Sequence, residues 1–191
     1  MRQAEITRKT LETDISVRLC LDGGDIKIAS GIGFFDHMLT ALAKHAGFGL
    51  ELSCKGDLNV DGHHSVEDCG SALGQAFREA IGDRSGIARY GSFTIPMDEA
   101  LCVCDLDISG RPFLVFDAKF AEKRCGDFDT CLAVEFFRAF AYNAGITLHI
   151  RELYGSNAHH IIEAMFKALA HALRLACTET GGGTLSTKGV L

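Results

Sequence analysis

A histidine doublet followed three residues later by a glutamate occurs twice in this chain. The second copy follows the first by 96 residues. The six residues are His63, His64 and Glu67 in the first copy and His159, His160 and Glu163 in the second. Imidazole and carboxylate donors without thiolates are typical of Mn²⁺, Fe²⁺ or catalytic Zn²⁺ rather than of structural zinc. The two copies therefore predict a metal centre.

Each doublet lies at the start of a predicted helix, which limits the ligands that one ion can share. Residues three or four apart lie on the same face of a helix, so Glu67 can meet His63 or His64. Adjacent histidines diverge by about 100° around the helix axis. Each doublet therefore suits two ions, or two sites facing different halves or subunits.

The repeat adds a third matched position upstream of the doublets. At a displacement of 98 residues, His37 falls opposite Glu135. The chain then offers eight nitrogen or oxygen donors, four for each of two ions, which leaves two positions open on an octahedral metal. One doublet alone is explained as well by local packing or capping, but two doublets with matching glutamates favour metal binding.

The same repeat predicts the organisation of the chain that must hold these residues. We predict one domain over residues 1–191, made of two similar units at about 1–90 and 91–191. Each unit has three strands, a helix, a strand and a helix. In the first unit, a helix ends at Gly47. The predicted strands before it are 3–9, 13–20 and 25–29.

Composition restricts the classes of function. Apolar residues make up 47% of the chain, and 19 basic against 25 acidic residues give a net charge of −6. This globular, acidic composition argues against a disordered chain, a nucleic-acid partner or a membrane-surface protein. No segment approaches the ~20 apolar residues of a membrane span, and no apolar signal core begins the chain. We expect a cytoplasmic protein that binds neither nucleic acid nor membrane.

The eight cysteines support the same compartment. No Cys-x-x-Cys pair is present, and most cysteines lie in apolar runs, so we predict reduced, buried thiols. The cysteines in apolar runs are Cys20, Cys54, Cys102, Cys104, Cys131 and Cys177.

An acidic protein needs a local group of donors to hold an anion. Residues 181–189 combine glycines with hydroxyls and a lysine, although without the spacing of a Walker A loop. Two arginines flank predicted strands and could clamp the same anion. The donors are Arg89, Arg111, Ser186, Thr187 and Lys188. A solvated tail and ordinary turn arginines would give the same pattern.

Six stretches together resemble the imidazoleglycerol-phosphate dehydratase family of histidine biosynthesis. They are FFDHML, DGHHSVED, SGRP, TLHI, NAHHIIEA and STKGVL, which begin at positions 34, 61, 109, 147, 157 and 186. They follow the family's order and cover nearly the whole chain. The doubled His-His-x-x-Glu motif with these flanks is highly specific.

The resemblance implies an α+β fold, in which an internal duplication of two βββαβα units sandwiches the helices between two four-stranded mixed sheets. It also implies self-assembly into a homo-24-mer, with two Mn²⁺ ions in each active site between subunits. The implied ligands are His37, His63, His64, Glu67, His159, His160 and Glu163. Glu135 is an eighth candidate at a position where many members have histidine.

The implied reaction is the dehydration of D-erythro-imidazoleglycerol phosphate to imidazole-acetol phosphate by a carbon–oxygen hydro-lyase. Two Mn²⁺ ions on the ring nitrogens would stabilise an imidazolate, which helps to expel the neighbouring hydroxyl. Glu12 and His45 are the candidates for proton transfer, with base and acid left open. The implied substrate-binding residues are Arg89, Arg111, Lys167, Ser186, Thr187 and Lys188.

Two other classes of protein would use similar ligands. A ferritin-like dimetal oxidase carries Glu-x-x-His ligands on a four-helix bundle, which the predicted strands disfavour. A non-catalytic shell held together by metal ions would need the histidines and glutamates but would have no use for Arg89, Arg111 and Lys188.

Overall fold

Two four-stranded sheets sandwich four helices in the computed structural model, which describes residues 1–189. Val190 and Leu191, which end the last of the six motifs, lie outside the described residues. The α+β class and the duplication are both confirmed. The mixed sheets also exclude the bundle of a ferritin-like oxidase.

The first unit forms one sheet and two helices. Its elements are β1 (Gln3–Lys9), β2 (Thr13–Cys20), β3 (Ile26–Ala29), α1 (Gly33–Ala46), β4 (Gly49–Gly56) and α2 (His63–Ile81). The strand order is β1-β2-β4-β3, and β3 alone runs parallel to its neighbour. Along β2, Ile15, Val17 and Leu19 are buried at alternate positions, so one face of the sheet packs on the helices.

The second unit repeats this connectivity. Its elements are β5 (Tyr90–Met97), β6 (Ala100–Asp107), β7 (Phe113–Asp117), β8 (Arg124–Cys125), β9 (Phe128–Asp129), α3 (Leu132–Ala144), β10 (Thr147–Tyr154) and α4 (Ala158–Ala176). The sheet order β5-β6-β10-β7 matches that of the first sheet, again with one parallel neighbour. The small hairpin β8–β9 is an addition that the repeat did not predict.

Equivalent helices end in the same way in the two units. Gly47 after α1 and Gly145 after α3 lie 98 residues apart and adopt left-handed conformations, with φ of 75° and 69°. Glycine favours this conformation because it has no Cβ atom. The predicted helix end at Gly47 is thus confirmed.

The helices pair between the units rather than within them: α1 packs on α4, and α2 packs on α3. Gly70 and Gly74 allow α2 to approach α3 closely. A Cβ atom added at Gly70 would lie 2.8 Å from the carbonyl oxygen of Phe136, and one at Gly74 would lie 2.7 Å from that of Phe140. Ligands on α1 and α4 therefore belong to one helix pair, and ligands on α2 and α3 to the other.

The exposure of the cysteines and the apolarity of the helices were both predicted from the sequence. All eight cysteines are free, but the prediction of burial is wrong for Cys131, which is exposed, and for Cys20, which is half-buried. Both thiols lie at the edges of elements, where apolar neighbours in sequence point elsewhere. None of the helices in the described part of the chain has the length and apolarity of a membrane span.

Candidate active site

Three predicted metal ligands meet where α1 begins beside α4. One donor atom from each of His37, His159 and Glu163 lies within 4.8 Å of the other two. Glu163 Oε2 is 3.5 Å from His37 Nε2 and 3.2 Å from His159 Nε2. Ligands bound at 2.0–2.2 Å to one ion stand within about 4.4 Å of each other. We call these three residues the gathered group.

A hairpin from the second unit supports this group. The backbone N–H groups of Gly33 and Phe34, at the start of α1, donate to the Asp127 carboxylate at 3.0 and 3.4 Å. These donors, the Gly33 amide above all, hold the pKa of Asp127 below its ordinary value. The Phe34 ring lies edge-on to His159, with centroids 5.0 Å apart. Asp127 was not predicted; the Gly126-Asp127 pair between short strands was the available turn signal.

Glu163 carries the negative charge of the gathered group. Its side chain is only 8% exposed, and burial alone would raise its pKa. The Lys167 ammonium, 2.7 Å away, outweighs burial together with His37, so the pKa of Glu163 is lowered. Lys167, predicted to bind substrate, thus contacts a predicted ligand.

The equivalent residues of the other helix pair are less closely gathered. His63 Nε2 lies 3.3 Å from Glu67 Oε2 on α2. Glu135 on α3 instead forms an ion pair with Arg138, one turn further along the same helix. Within residues 1–189, these three ligands do not form a second group of the gathered kind. We call His63, Glu67 and Glu135 the open group.

The second histidine of each doublet faces a different direction from the first. The ring centroids are 6.3 Å apart in the first doublet and 6.0 Å apart in the second, with interplanar angles of 72° and 77°. His64 Nδ1 lies 3.0 Å from Asp57 Oδ2, and His160 Nδ1 lies 2.7 Å from Glu99 Oε2. Sequence reasoning missed both carboxylates: Asp57 lies in the loop seven residues before His64, and Glu99 lies 61 residues before His160.

The two proton-transfer candidates have different surroundings. Glu12 Oε1 lies 3.7 Å from Nε2 of His64, a predicted ligand. His45 Nδ1 lies 3.2 Å from Nε2 of His171 on α4, and burial lowers the pKa of His45. His45 is eight residues after His37 on the same helix, about 12 Å along its axis. The structure brings Glu12, but not His45, beside a predicted ligand.

Five of the six predicted substrate-binding residues line one open cavity of about 730 Å³. They are Arg89, Arg111, Ser186, Thr187 and Lys188. Lys167 lies elsewhere, beside Glu163 and 3.7 Å from Met97 Sδ. Lys167 therefore lies apart from the other five residues within this chain.

Arg89 is the most constrained residue of this cavity. It is buried and has a φ of 70°, in the left-handed region. Its Nε and Nη2 groups donate to Asp107 at 2.7 and 3.0 Å, and Nη1 donates to the Leu185 carbonyl. The hydrogen bond to Asp107 raises the pKa of Arg89. Asp107, which sequence reasoning missed, thus ties the start of β5 to the C-terminal segment through Arg89.

The cavity and the gathered group lie at opposite ends of β5. Tyr90, the first residue of this strand, lines the cavity. Met97, its last residue, contacts Lys167 beside Glu163. At 3.3 Å per residue, the strand spans about 23 Å. The two regions are therefore too far apart within this chain for one small molecule to contact both.

The fold matches solved dehydratase structures. The imidazoleglycerol-phosphate dehydratase of Staphylococcus aureus superposes with a TM-score of 0.86 at 41% identity, over 93% of this chain and 99% of the other. The enzyme of Pyrococcus furiosus also gives 0.86, at 39% identity, over 97% of this chain and all of the other. These matches define the class of protein.

Sequence comparison specifies the family. The family model described as imidazoleglycerol-phosphate dehydratase matches residues 30–173. Relatives of that name from Acetivibrio thermocellus and Azorhizobium caulinodans are 54% and 57% identical, each over 100% of this chain and 99% of the relative. The chain belongs to the imidazoleglycerol-phosphate dehydratase family and is a lyase. The resemblance carried by the six motifs is confirmed.

Proposed function

We propose that this chain dehydrates D-erythro-imidazoleglycerol phosphate to imidazole-acetol phosphate in L-histidine biosynthesis. We further propose two Mn²⁺ ions per active site, assembly as a homo-24-mer and a cytoplasmic location, which free thiols suit. Family membership supports the reaction. The observation that carries the metal site is the gathered group, whose three donor atoms lie within 4.8 Å of one another.

The donors fit the proposed ions. Two imidazoles and one ionised carboxylate are a suitable partial set for Mn²⁺, and half of an octahedral coordination shell remains for other ligands. The residues that would hold the ions are His37, His63, His64, Glu67, His159, His160 and Glu163, with Glu135 as an eighth candidate. When bound, the ions supply Lewis-acid polarisation of the substrate's imidazole ring.

Glu12 is the better placed of the two proton-transfer candidates. The reaction removes a proton from one carbon of the glycerol chain and a hydroxide from its neighbour, which leave together as water. Glu12 Oε1 lies 3.7 Å from His64 Nε2, and its side chain is half exposed. This carboxylate can therefore accept the carbon-bound proton of a substrate whose imidazole ring is held near His64. His45 is engaged with His171 and is the weaker candidate.

The cavity donors would hold the substrate phosphate. Arg111 is two-thirds exposed, and Ser186, Thr187 and Lys188 add hydroxyl and ammonium donors. Arg89 donates hydrogen bonds to Asp107 and to the Leu185 carbonyl. It would therefore orient the C-terminal segment and offer its remaining N–H groups to the anion.

The length of β5 supports active sites that are shared between subunits. The phosphate cavity and the gathered group lie at opposite ends of a strand that is about 23 Å long, which is more than the substrate can span. A complete site then takes its cavity from one subunit and its ligands from others. His64→Ala should accordingly abolish both turnover and assembly, and a fully assembled, active variant would contradict the shared site.

The decisive experiment is turnover of imidazoleglycerol phosphate by protein stripped with chelator and then titrated with Mn²⁺. We expect activity to disappear on stripping and to return with two Mn²⁺ per chain. Lys188→Ala is the matched variant: it should raise KM by about 10- to 100-fold, the value of one charged hydrogen bond, and retain its metals. Two bound ions without turnover would instead support the non-catalytic shell.

A further inference from the structure

The Nδ1 edges of His64 and His160 are each occupied by a carboxylate from outside their own helix. Both Asp57 oxygens lie within hydrogen-bond distance of His64 Nδ1, at 3.0 and 3.2 Å. Glu99 Oε2 lies 2.7 Å from His160 Nδ1. In both rings Nε2 is left on the opposite edge, facing away from these carboxylates.

Glu99 is anchored through its carboxylate, and Asp57 is anchored through its backbone. The Glu99 Oε1 atom accepts backbone N–H groups from Ser156 and Asn157, at 3.1 and 2.8 Å, just before α4 begins. His160, followed by these amides, lowers the pKa of Glu99 to about 2. Asp57 follows β4, and its backbone N–H donates to the Glu12 carbonyl at 3.0 Å. Each carboxylate thus connects a loop to the histidine it contacts.

Glu99 and Glu12 are equivalent in the repeat, but they contact different edges of their histidines. The strands β1 and β2 correspond to β5 and β6 at a displacement of 87 residues, which places Glu12 and Glu99 at equivalent positions of equivalent hairpins. Yet Glu12 lies 3.7 Å from the Nε2 edge of its histidine, whereas Glu99 contacts the Nδ1 edge. In the first unit, Asp57 takes the Nδ1 edge instead.

We propose that Asp57 and Glu99 are positioning residues, which accept the Nδ1–H of His64 and His160 so that Nε2 is the nitrogen each ring offers to a metal ion. The proposal deepens the proposed function and rests on it. A carboxylate on the second ring nitrogen fixes the tautomer and orientation of a ligating histidine and increases its basicity. Glu99 therefore supports a ligand, whereas its repeat equivalent Glu12 remains available to the substrate.

The experiment measures Mn²⁺ binding to the full-length protein by equilibrium dialysis and by the EPR spectrum of the bound ion. We expect Glu99→Gln and Asp57→Asn each to weaken one of the two Mn²⁺ sites by about 10- to 100-fold, with an altered EPR spectrum. Glu99→Asp keeps the carboxylate and should recover most of the affinity. The melting temperature of the metal-free protein and KM at saturating Mn²⁺ should stay near wild-type values.

Asp117→Asn is the control for net charge. Asp117 is exposed and pairs with Arg151 at 3.6 Å, so the variant removes one surface charge without touching either histidine. We expect its Mn²⁺ affinity to change by less than about threefold, since exposed charges are screened. A loss equal to that of Glu99→Gln would overturn the proposal, because net charge alone would then explain both.

The outcomes also separate this proposal from the proposed function. If wild-type protein binds two Mn²⁺ and turns over, while Glu99→Gln and Asp57→Asn bind as tightly as wild type, the positioning role is wrong and the function stands. If wild-type protein binds no Mn²⁺, both are wrong. If one variant does not fold, the other tests the same role on the other histidine.

Discussion

The gathered group and the open group occupy equivalent places in the two helix pairs, yet their side chains are arranged differently. In the gathered group, His37 on α1 meets two residues of α4 within the reach of one ion. In the open group, Glu135 on α3 points to Arg138 instead of to the α2 residues. The ligand positions repeat along the chain, but the residue at the third position and the geometry do not.

The two groups differ in one ligand, because His37 is replaced by the carboxylate Glu135, and they also differ in the neighbouring cations. Lys167 lies beside Glu163 in the gathered group, whereas its repeat equivalent beside the open group is Ser71. Arg138 lies one turn from Glu135, whereas its equivalent on α1 is Thr40. A repeat therefore predicts where ligands lie on the backbone, but not which side chains they contact, since Glu163 pairs with Lys167 and Glu135 with Arg138.

The largest effect is expected from a substitution within the gathered group. Glu163→Gln should lower Mn²⁺ affinity and kcat by more than about 100-fold, because the buried carboxylate contacts two histidines and Lys167. Glu67→Gln, its repeat equivalent, should cost less because the Glu67 side chain is half exposed. Dialysis and steady-state kinetics give both values, and equal losses would show that the two groups contribute alike.

The spacing of the second helix pair should matter next. Gly74→Ala would place a Cβ atom 2.7 Å from the Phe140 carbonyl oxygen, so α2 and α3 must separate. We expect a loss of about 1–3 kcal/mol, which lowers the melting temperature by several degrees. Gly183→Ala, with open space around its Cβ position, is the control for the change of residue type. A more stable Gly74→Ala would mean that helix propensity outweighs the contact.

A smaller effect is expected from a substitution that lets the open group adopt an arrangement more like that of the gathered group. Arg138→Ala frees Glu135 from an exposed ion pair worth about 0.2–1 kcal/mol. We expect Mn²⁺ affinity to rise by up to about fivefold, which is that energy expressed as a ratio. Arg138→Lys retains the charge and should leave the affinity near the wild-type value. An unchanged affinity in Arg138→Ala would show that Glu135 is not a ligand.

The smallest effect concerns a second repeat-related pair. His45 and His171 contact each other at 3.2 Å, and at their equivalent positions Asn143 and Gln75 do the same at 3.2 Å. Burial lowers the pKa of both histidines below the ordinary 6.5. The unfolded chain then binds more protons, so stability decreases as the pH falls through about 6.5 towards the folded pKa values.

The double variant His45→Asn with His171→Gln tests this difference. It should lose less melting temperature than wild type between pH 7.5 and 5.5, by at most about 3 °C. Asp57 and Glu99 raise the pKa values of His64 and His160, which act with the opposite sign, but they are the same in both proteins and cancel. Identical pH profiles would show that the imidazole pair has no such role.

What the sequence could predict follows the local patterns. Strand alternation, the helix end at Gly47 and the doublets at helix starts depend on neighbours in the chain, so the α+β class was accessible. Asp57, Asp107 and Glu99 act across loops, and Asp127 caps a helix that begins 94 residues earlier. The placement of Lys167 with Glu163 depends on the spacing of four residues along α4, which the sequence contained but the phosphate interpretation overlooked.

The glycines of α2 have a consequence for how the two halves diverged. Gly70 and Gly74 determine the separation of α2 from α3, while the equivalent positions of α4 hold Phe166 and Ala170. In a dimer of two identical chains, one substitution would alter both symmetry-related contacts at once. When both copies lie in one chain, each contact can change by its own mutations. The packing of α2 on α3 can then change while the packing of α1 on α4 is kept.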